Sequence, residues 1–298
     1  MTSRRKKPSR KPSPGAGRGK TTRTKRQQRL AAATIESSSS ARQGVKADEA
    51  GAGAVGVRLN KWLAEQGVDS RRKCDEKIFG GEVSVNGRVV SEPGYRVQQG
   101  DEVRVDGVKI SIERRLYYLF YKPKGVLCTN DPRETDTRVC DLVDPMVPSR
   151  VHTVGRLDKE SEGLLLLTND GDFSQIITHP SFGIRKTYIC YINHSVTHAD
   201  IEKAREGAYI DGVKVVPESL RLVNSTKKGA TVEVTISEGR NREVRRVLAR
   251  FDMRVKRLKR VRIGNLSVAK LKRGAIRPLT KKERDDLVSM ARNSFSDA

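Results

Sequence analysis

Asp158, a short-armed carboxylate, stands two residues after Arg156 in the segment "VGRLDKESEGLLLLTNDGDF" (residues 154–173). A free aspartate has a pKa of about 3.9 and is ionised at neutral pH. A guanidinium beside it holds it ionised and oriented. Such a carboxylate can act as a nucleophile or stabilise an oxocarbenium-like sugar. It can also simply bridge to Arg156 or cap a turn. Glycoside hydrolysis wants a second carboxylate opposite the first. Glu160 and Glu162 are at hand, but nothing marks either as that partner.

The elements around Asp158 favour chemistry over a plain salt bridge. Leu164 to Leu167 form an apolar run bounded by Gly163 and the Asn169-Asp170-Gly171 turn. That pattern predicts a fully buried strand of about five residues. Asp158 then lies in the loop leading into it, and loops held by a rigid core are where function concentrates. Downstream, "DFSQIITHP" carries Phe173, Ile176 and Ile177 on one helical face and stops before Pro180. Alternation predicts strands at "LYYLFYKPKG" (from Leu116), "KTYICYIN", "LRLVNS" and "ATVEVTISEG". "NREVRRVLARF" is helical, with Val244, Val247, Leu248 and Phe251 on one face. The stretch from "KPKG" to Arg150 reads as loop. Helices among mostly antiparallel strands make this an α+β domain, over residues 111–290, with 291–298 as a C-terminal tail.

A smaller unit precedes it, over residues 57–110. Leu59, Trp62 and Leu63 fall on one face of a helix that Gly67 ends. Ser70 is placed to cap a second helix, Arg71 to Phe79, closed by Gly80-Gly81. "EVSVNGRVV" alternates around Asn86-Gly87, the signature of a type I′ hairpin. "DEVRVDG" (101–107) reads as a further strand. Arg58, Lys61, Arg71, Arg72, Lys73 and Lys77 cluster on the two helices. They are either solvated helix faces or a platform for RNA phosphates.

Charge favours the platform. The 298 residues carry a net +24. The first 55 hold fourteen Lys/Arg against three acids, with Pro, Gly and Ser between, and no apolar periodicity. Residues 1–56 therefore read as a disordered basic tail. An Arg- and Ser-rich transit peptide would share this composition, but an amphipathic pattern is missing. "GAGAVG" (51–56) matches a dinucleotide fingerprint in letters alone; the polar "RQGVKADEA" before it marks a linker. Such an excess of charge attracts nucleic acid or an anionic membrane. No apolar run approaches the ~18 residues of a spanning helix, and no secretory segment precedes the fold. Nucleic acid is the better partner. Cys74, Cys128, Cys140 and Cys190 are scattered, which suits reduced thiols in the cytoplasm. His194 and His198 sit four apart but lack further ligands at metal spacing, so no metal site is expected.

Two family resemblances organise these readings. "RLNKWLAEQGVDSRRKCDEKIFGGEVSVNGRVV" resembles an S4 RNA-binding domain: R-L-x-x-x-L-A, S-R-R, then G-x-V-x-V-N-G. S4 domains recognise structured RNA mostly by shape and backbone. "VGRLDKESEGLLLLTNDGD" resembles the catalytic motif of pseudouridine synthases, in the family of the ribosomal small-subunit synthase A and the large-subunit synthases B, E and F. "RKTYICYI" resembles that family's K-x-Y segment, at Lys186 and Tyr188. "EGRNREVRRVLARF" resembles its E-G-[RK]-x-x-Q-[VI]-R-R segment. The similarity spans residues 57–287. Two positions depart from it: Glu162 where Ser is frequent, and Glu243 where Gln is frequent. Glu162 is expected to alter contacts to the phosphate backbone.

The resemblance implies an S4 domain of two helices and a hairpin, then a catalytic domain with a mixed, mostly antiparallel sheet and flanking helices. It implies isomerisation of a specific uridine in ribosomal RNA, 23S favoured over 16S, by base flipping and an essential aspartate. That aspartate is Asp158. Tyr188 would stack on the flipped uracil, which is worth about 1–3 kcal/mol per base against the few kcal/mol needed to extrude a base. Arg245 would pair with Asp158, and Arg156 would fill the space the base leaves. No cofactor is implied. The partner is ribosomal RNA or a subunit precursor, with no membrane, no obligate protein partner and a monomeric enzyme. Two other classes compete. A non-catalytic RNA-binding assembly factor would not need Asp158 and Tyr188. An S4-linked methyltransferase would need a Gly-rich cofactor loop after a strand.

Overall fold

The computed structural model describes residues 56–92 and 94–296. All of the basic tail read over residues 1–56 except Gly56, and so most of "GAGAVG", lies outside the described residues. What is described falls within one compact unit.

The N-terminal module strings together β1 (Val57–Arg58), helices Leu59–Glu65 and Arg71–Phe79, β2 (Val83–Val85), β3 (Arg88–Val89), β4 (Arg96–Val97), β5 (Val103–Val105) and β6 (Val108–Lys109). β1 pairs with β4, and the others form an antiparallel sheet in the order β3-β2-β5-β6. Ser70 caps the second helix as expected, its side chain accepting from the Lys73 amide. Asn86 and Gly87 take φ of 51° and 78°, both positive as a type I′ turn requires. Asp106 and Gly107 repeat that geometry at 50° and 78°. The strand expected over 101–107 is therefore shorter and turns back as β6. Leu59 and Leu63 of one helix and Cys74 and Ile78 of the other pack on Val83, Val85 and Val103.

The C-terminal module contains β7 (Tyr117–Lys122), β8 (His152–Val154), β9 (Ser161–Thr168), β10 (Lys186–Ile192), β11 (Ala208–Ile210), β12 (Val213–Val215), β13 (Ser219–Thr226), β14 (Gly229–Ile236), β15 (Val255–Ile263), β16 (Leu266–Ser267) and β17 (Ile276–Pro278). Its main sheet runs β13-β14-β10-β15-β9-β7-β17, with β8 on β9 and β16 on β15. Among the described residues, β9–β15 is the one parallel pair in it. The architecture is α+β with a mixed, mostly antiparallel sheet.

Strand β9 is buried along its whole length, eight residues against the five expected. Alternation sends its leucines into two cores. Leu165 and Leu167 join Phe120, Cys190, Val232 and Leu248 on one face. Leu164 and Leu166 join Leu119, Phe173, Ile177 and Leu287 on the other. A strand covered on both faces reads as a continuous apolar run, and each buried leucine contributes about 1.5–3 kcal/mol.

Three elements depart from expectation. The stretch read as loop up to Arg150 holds a short helix, Val139–Val143, and a 3-10 turn, Asp144–Met146. Thr197 and Asp200 form a reciprocal capping box that starts helix His198–Arg205. The helix Lys281–Ser296 runs through most of the expected C-terminal tail. Its Leu287 and Ala291, four apart, bury fully in the second core, so the chain stays helical there. No helix among the described residues is long and apolar enough to cross a membrane.

Candidate active site

Asp158 lies between β8 and β9, and the six residues of that connection are held from several sides. The Asp158 carbonyl accepts from the Ser161 amide at 3.0 Å, and the Lys159 carbonyl accepts from the Gly125 amide at 2.8 Å. The Leu157 amide donates to Cys128 Sγ at 3.5 Å. Beneath them sits Lys122, fully buried. Its Nζ donates to the Ser161 and Pro123 carbonyls at 2.8 and 2.9 Å. Burial pushes its pKa down to about 8, while Cys128, Asp158 and Glu160 pull it up. Gly163 fixes the far end: a Cβ there would lie 2.2 Å from the Arg260 carbonyl, and its φ is +112°. Only glycine lets β15 approach β9 this closely.

The carboxylate faces a cleft of about 380 Å³, within the ~300–1,000 Å³ of small-ligand sites. Arg156, Asp158, Lys186, Tyr188, Arg242, Glu243 and Arg260 line it. Five elements supply these groups: the β8–β9 loop, β10, the turn at Arg242, the helix Glu243–Ala249, and β15. Lys186 and Tyr188, two apart on β10, share a face. The Lys186 ammonium donates to the Ser237 carbonyl at 2.9 Å. Burial depresses its pKa to about 8, with the Arg260 charge pushing the same way and Glu243 opposing. Glu243 is itself buried, which raises its pKa, and its Oε2 accepts from the Arg240 amide at 2.8 Å. Arg260 is almost wholly buried and donates through Nε to the Leu164 carbonyl at 2.7 Å.

The expected residues do not all meet. Asp158, Tyr188 and Arg156 share the cleft. Arg245 does not pair with Asp158. The ion-pair partner is Arg242, with Nη1 3.7 Å from Asp158 Oδ2. Arg242 has a left-handed backbone, φ +49°, which swings its side chain to the cleft while Arg245 turns toward β15. There Arg245 Nη1 donates to the Val255 carbonyl at 2.8 Å, and its Nε and Nη2 are buried without a hydrogen-bond partner. Burial lowers the Arg245 pKa, and the Arg242 charge adds to that while Asp158 opposes it. Glu162 is absent from the cleft lining. It is buried and holds two arginines, Arg257 and Arg273, the latter at 3.1 Å.

The K-x-Y motif matches Lys186 without giving it a role, and no motif singles out Arg242 or Arg260. Lys186 had a signal, since it sits two residues before Tyr188 in an alternating strand. Arg242 and Arg260 were lost in a run of eleven basic residues between 240 and 262.

The basic groups of the N-terminal module divide. Arg58, Arg71, Arg72 and Lys73 are exposed. Lys73 pairs weakly with Asp69 at 3.6 Å; the three arginines have no ion pair among the described residues. Lys61 instead bonds Asp172 of the C-terminal module at 2.5 Å. Arg150–Asp69 at 3.0 Å and Arg115–Glu65 at 3.1 Å join the same two modules. The His194 ring lies against the Ser195 and Asp252 carbonyls. No group of three metal-ligating side chains occurs among the described residues.

Known proteins resemble the chain over both modules. Residues 116–250 match the family described as RNA pseudouridylate synthase, and residues 57–103 match the S4 domain. The chain is 37% identical over 243 residues to ribosomal large subunit pseudouridine synthase B of Bacillus subtilis (strain 168), covering 80% of this chain and 99% of that one. It is 38% identical over 230 residues to an uncharacterized RNA pseudouridine synthase of Aquifex aeolicus (strain VF5), covering 76% and 92%. Among solved structures, a crystal structure of a pseudouridylate synthase superposes with a TM-score of 0.55 at 31% identity, covering 78% of this chain and 99% of that one.

Proposed function

The chain belongs to the RNA pseudouridylate synthase family, with an S4 domain ahead of the catalytic domain, and we propose that it isomerises a specific uridine of ribosomal RNA, in the large subunit, with Asp158 acting on the ribose. The observation that carries the reading is the meeting of Asp158 and Tyr188, thirty residues apart on different elements, at one cleft sized for a nucleotide.

In the isomerisation the N1–C1′ bond of uridine breaks and a C5–C1′ bond forms. The C5 proton leaves, and N1 ends with a proton. Nothing is added or lost overall, so no redox partner is called for. The base must leave its stack to present C1′. The Tyr188 ring, buried at the cleft wall, offers a surface for the extruded uracil. Arg156, exposed at the rim, can occupy the vacated position in the RNA. Asp158 is one-third exposed and braced from below by the Lys122 contacts. That suits either attack at C1′ or removal of a ribose proton. Arg58, Arg71, Arg72 and Lys73 would hold the RNA backbone through the S4 domain. Lys61 is committed to Asp172 and contributes to docking the two modules.

Large-subunit RNA is preferred as substrate because the Bacillus relative is a ribosomal large subunit enzyme. We assign the protein to the cytoplasm as a monomer on ribosomal RNA, in keeping with four cysteines that are all free. The test is Asp158→Asn. The variant should fold and bind ribosomal RNA yet leave the target uridine unmodified, read by chemical mapping of pseudouridine in RNA from cells carrying only that variant. Pseudouridine at wild-type level in those cells would reject the assignment.

A further inference from the structure

The cleft holds more positive charge than its carboxylates can satisfy, and the surplus centres on Arg242. Its guanidinium is the ion-pair partner of Asp158, yet at 3.7 Å the contact is longer than the ~2.7–2.9 Å of a charge-assisted hydrogen bond. Half of the Arg242 side chain is exposed, so the tether is weak and solvent-screened. The backbone beneath it is not loose. Arg242 sits at φ +49°, ψ 30°, a region uncommon for a non-glycine residue. Three bonds hold it there: the Arg240 amide to Glu243 Oε2, the Glu243 amide to the Arg240 carbonyl at 3.2 Å, and the Arg246 amide to the Arg242 carbonyl at 2.9 Å. A strained position kept by its surroundings is a place to look for function. Behind it Arg245 keeps two buried donors unpartnered, and the Arg242 charge weighs against its own.

We propose that Arg242 is a substrate clamp that Asp158 holds in the free enzyme and releases to a phosphate of the RNA when the target nucleotide enters. The proposal rests on the pseudouridine synthase reading of the cleft. A nucleotide brings one negative charge. Arg242, at the rim and weakly held, is placed to take it. The exchange uncovers the Asp158 carboxylate as the ribose arrives, and it removes the neighbouring charge that opposes Arg245. Arg245 then has Asp158 as the natural acceptor for its unpartnered donors. No covalent bond changes; one ion pair is traded for two. Arg242 is thus a positioning residue whose effect falls on binding, and Asp158 in the free enzyme is partly guarded.

The experiment measures binding of an unmodified large-subunit ribosomal RNA transcript across a salt series, with single-turnover pseudouridine formation on the same RNA. Arg242→Gly keeps the left-handed backbone without strain, so loss of fold is avoided; Arg242→Lys retains the charge. For Arg242→Gly, affinity should fall about tenfold and the salt slope by about one, with the loss in KM rather than in kcat. Arg242→Lys should restore most of the slope. Asp158→Asn should bind RNA several-fold more tightly than wild type, because it frees Arg242, and the gain should vanish in the double variant with Arg242→Gly. A tenfold drop in kcat for Arg242→Gly with affinity unchanged overturns the proposal, as does a tightening by Asp158→Asn that persists in the double variant. Absence of pseudouridine with the wild-type protein would instead fail the functional reading, and the salt slopes would still decide whether Arg242 contacts phosphate.

Discussion

Basic side chains occupy two settings in this molecule. On helix Arg71–Phe79, Arg71, Arg72 and Lys73 stand side by side in the first turn, exposed. In the cleft region, Lys186, Arg245 and Arg260 are buried or half-buried, and each donates to a main-chain carbonyl: Ser237, Val255 and Leu164. A carbonyl fixes a charge in place without cancelling it. Lys186 and Arg260 line the cleft itself, and Arg245 lies behind it, where a low dielectric magnifies the field of a fixed charge. The exposed cations can follow a backbone of varied path, and salt screens them. One composition thus takes two forms, divided by burial.

The division can be broken from either side. Arg245→Gln should lower the saturating rate of pseudouridine formation about 10²–10³-fold, the usual effect of removing one preorganised electrostatic group. RNA affinity should stay within about threefold. A rate left intact with weakened binding would put Arg245 among the backbone contacts instead. Replacing Arg71, Arg72 and Lys73 together by Ala should do the reverse. Affinity should fall about 10–100-fold and the salt slope by about 2–3, near 0.9 per phosphate contact. The saturating rate should hold. An unchanged slope would show that this turn faces solvent alone.

Some of this division was legible in the sequence, and the reasons are local. Ser70 before Arg71 predicts the cap that forms, and Asn86-Gly87 predicts the turn that forms. The leucine run predicts β9 because burial on both faces leaves no polar position. The parallel pairing of β9 with β15 joins residues about a hundred apart, and periodicity carries no such information. Its one trace is Gly163, a glycine inside a strand. Two further signals were present but unread: Asp-Gly at 106–107 and at 211–212, both with positive φ at tight turns. In the site, the motifs bring Asp158, Tyr188 and Arg156 to one cleft. They do not reveal which arginine faces Asp158. That depends on the left-handed turn at Arg242, a conformation that side-chain type alone does not foretell.

Burial also leaves a thermodynamic mark on the cleft cations. Burial lowers the Lys186 pKa from 10.5 to about 8. Below pH 8 the folded and unfolded states both carry the proton. Between about 8 and 10.5 only the unfolded state does, so stability rises with pH across that window. Lys122, lowered to about 8 by the same cause, adds to the rise. Lys186→Met should remove about one proton from the slope, ~1.4 kcal/mol per pH unit, in denaturant titrations between pH 8.5 and 10. A slope unchanged by the substitution would mean that the ammonium is solvated.

The exposed set carries a smaller cost of its own, and it tests the comparison most finely. The N-terminus of a helix bears partial positive charge, so acidic residues belong there and basic ones do not. The first turn of Arg71–Phe79 has no acidic residue and three basic ones. Ser70 works against this by accepting from the Lys73 amide. Ser70→Ala should therefore cost about 1 kcal/mol of stability and fray the turn that presents the three cations. RNA affinity should weaken slightly while the saturating rate stays put. Arg72→Glu separates the two effects. It should stabilise the free protein by about 0.3–1 kcal/mol through the dipole and weaken RNA binding by more than Ala does at the same place. Opposite signs for stability and affinity at one exposed residue are what a helix end shaped for a polyanion predicts. If Arg72→Glu lowers both, the first turn is not opposed by its own charges, and the distinction between the two settings narrows to the cleft.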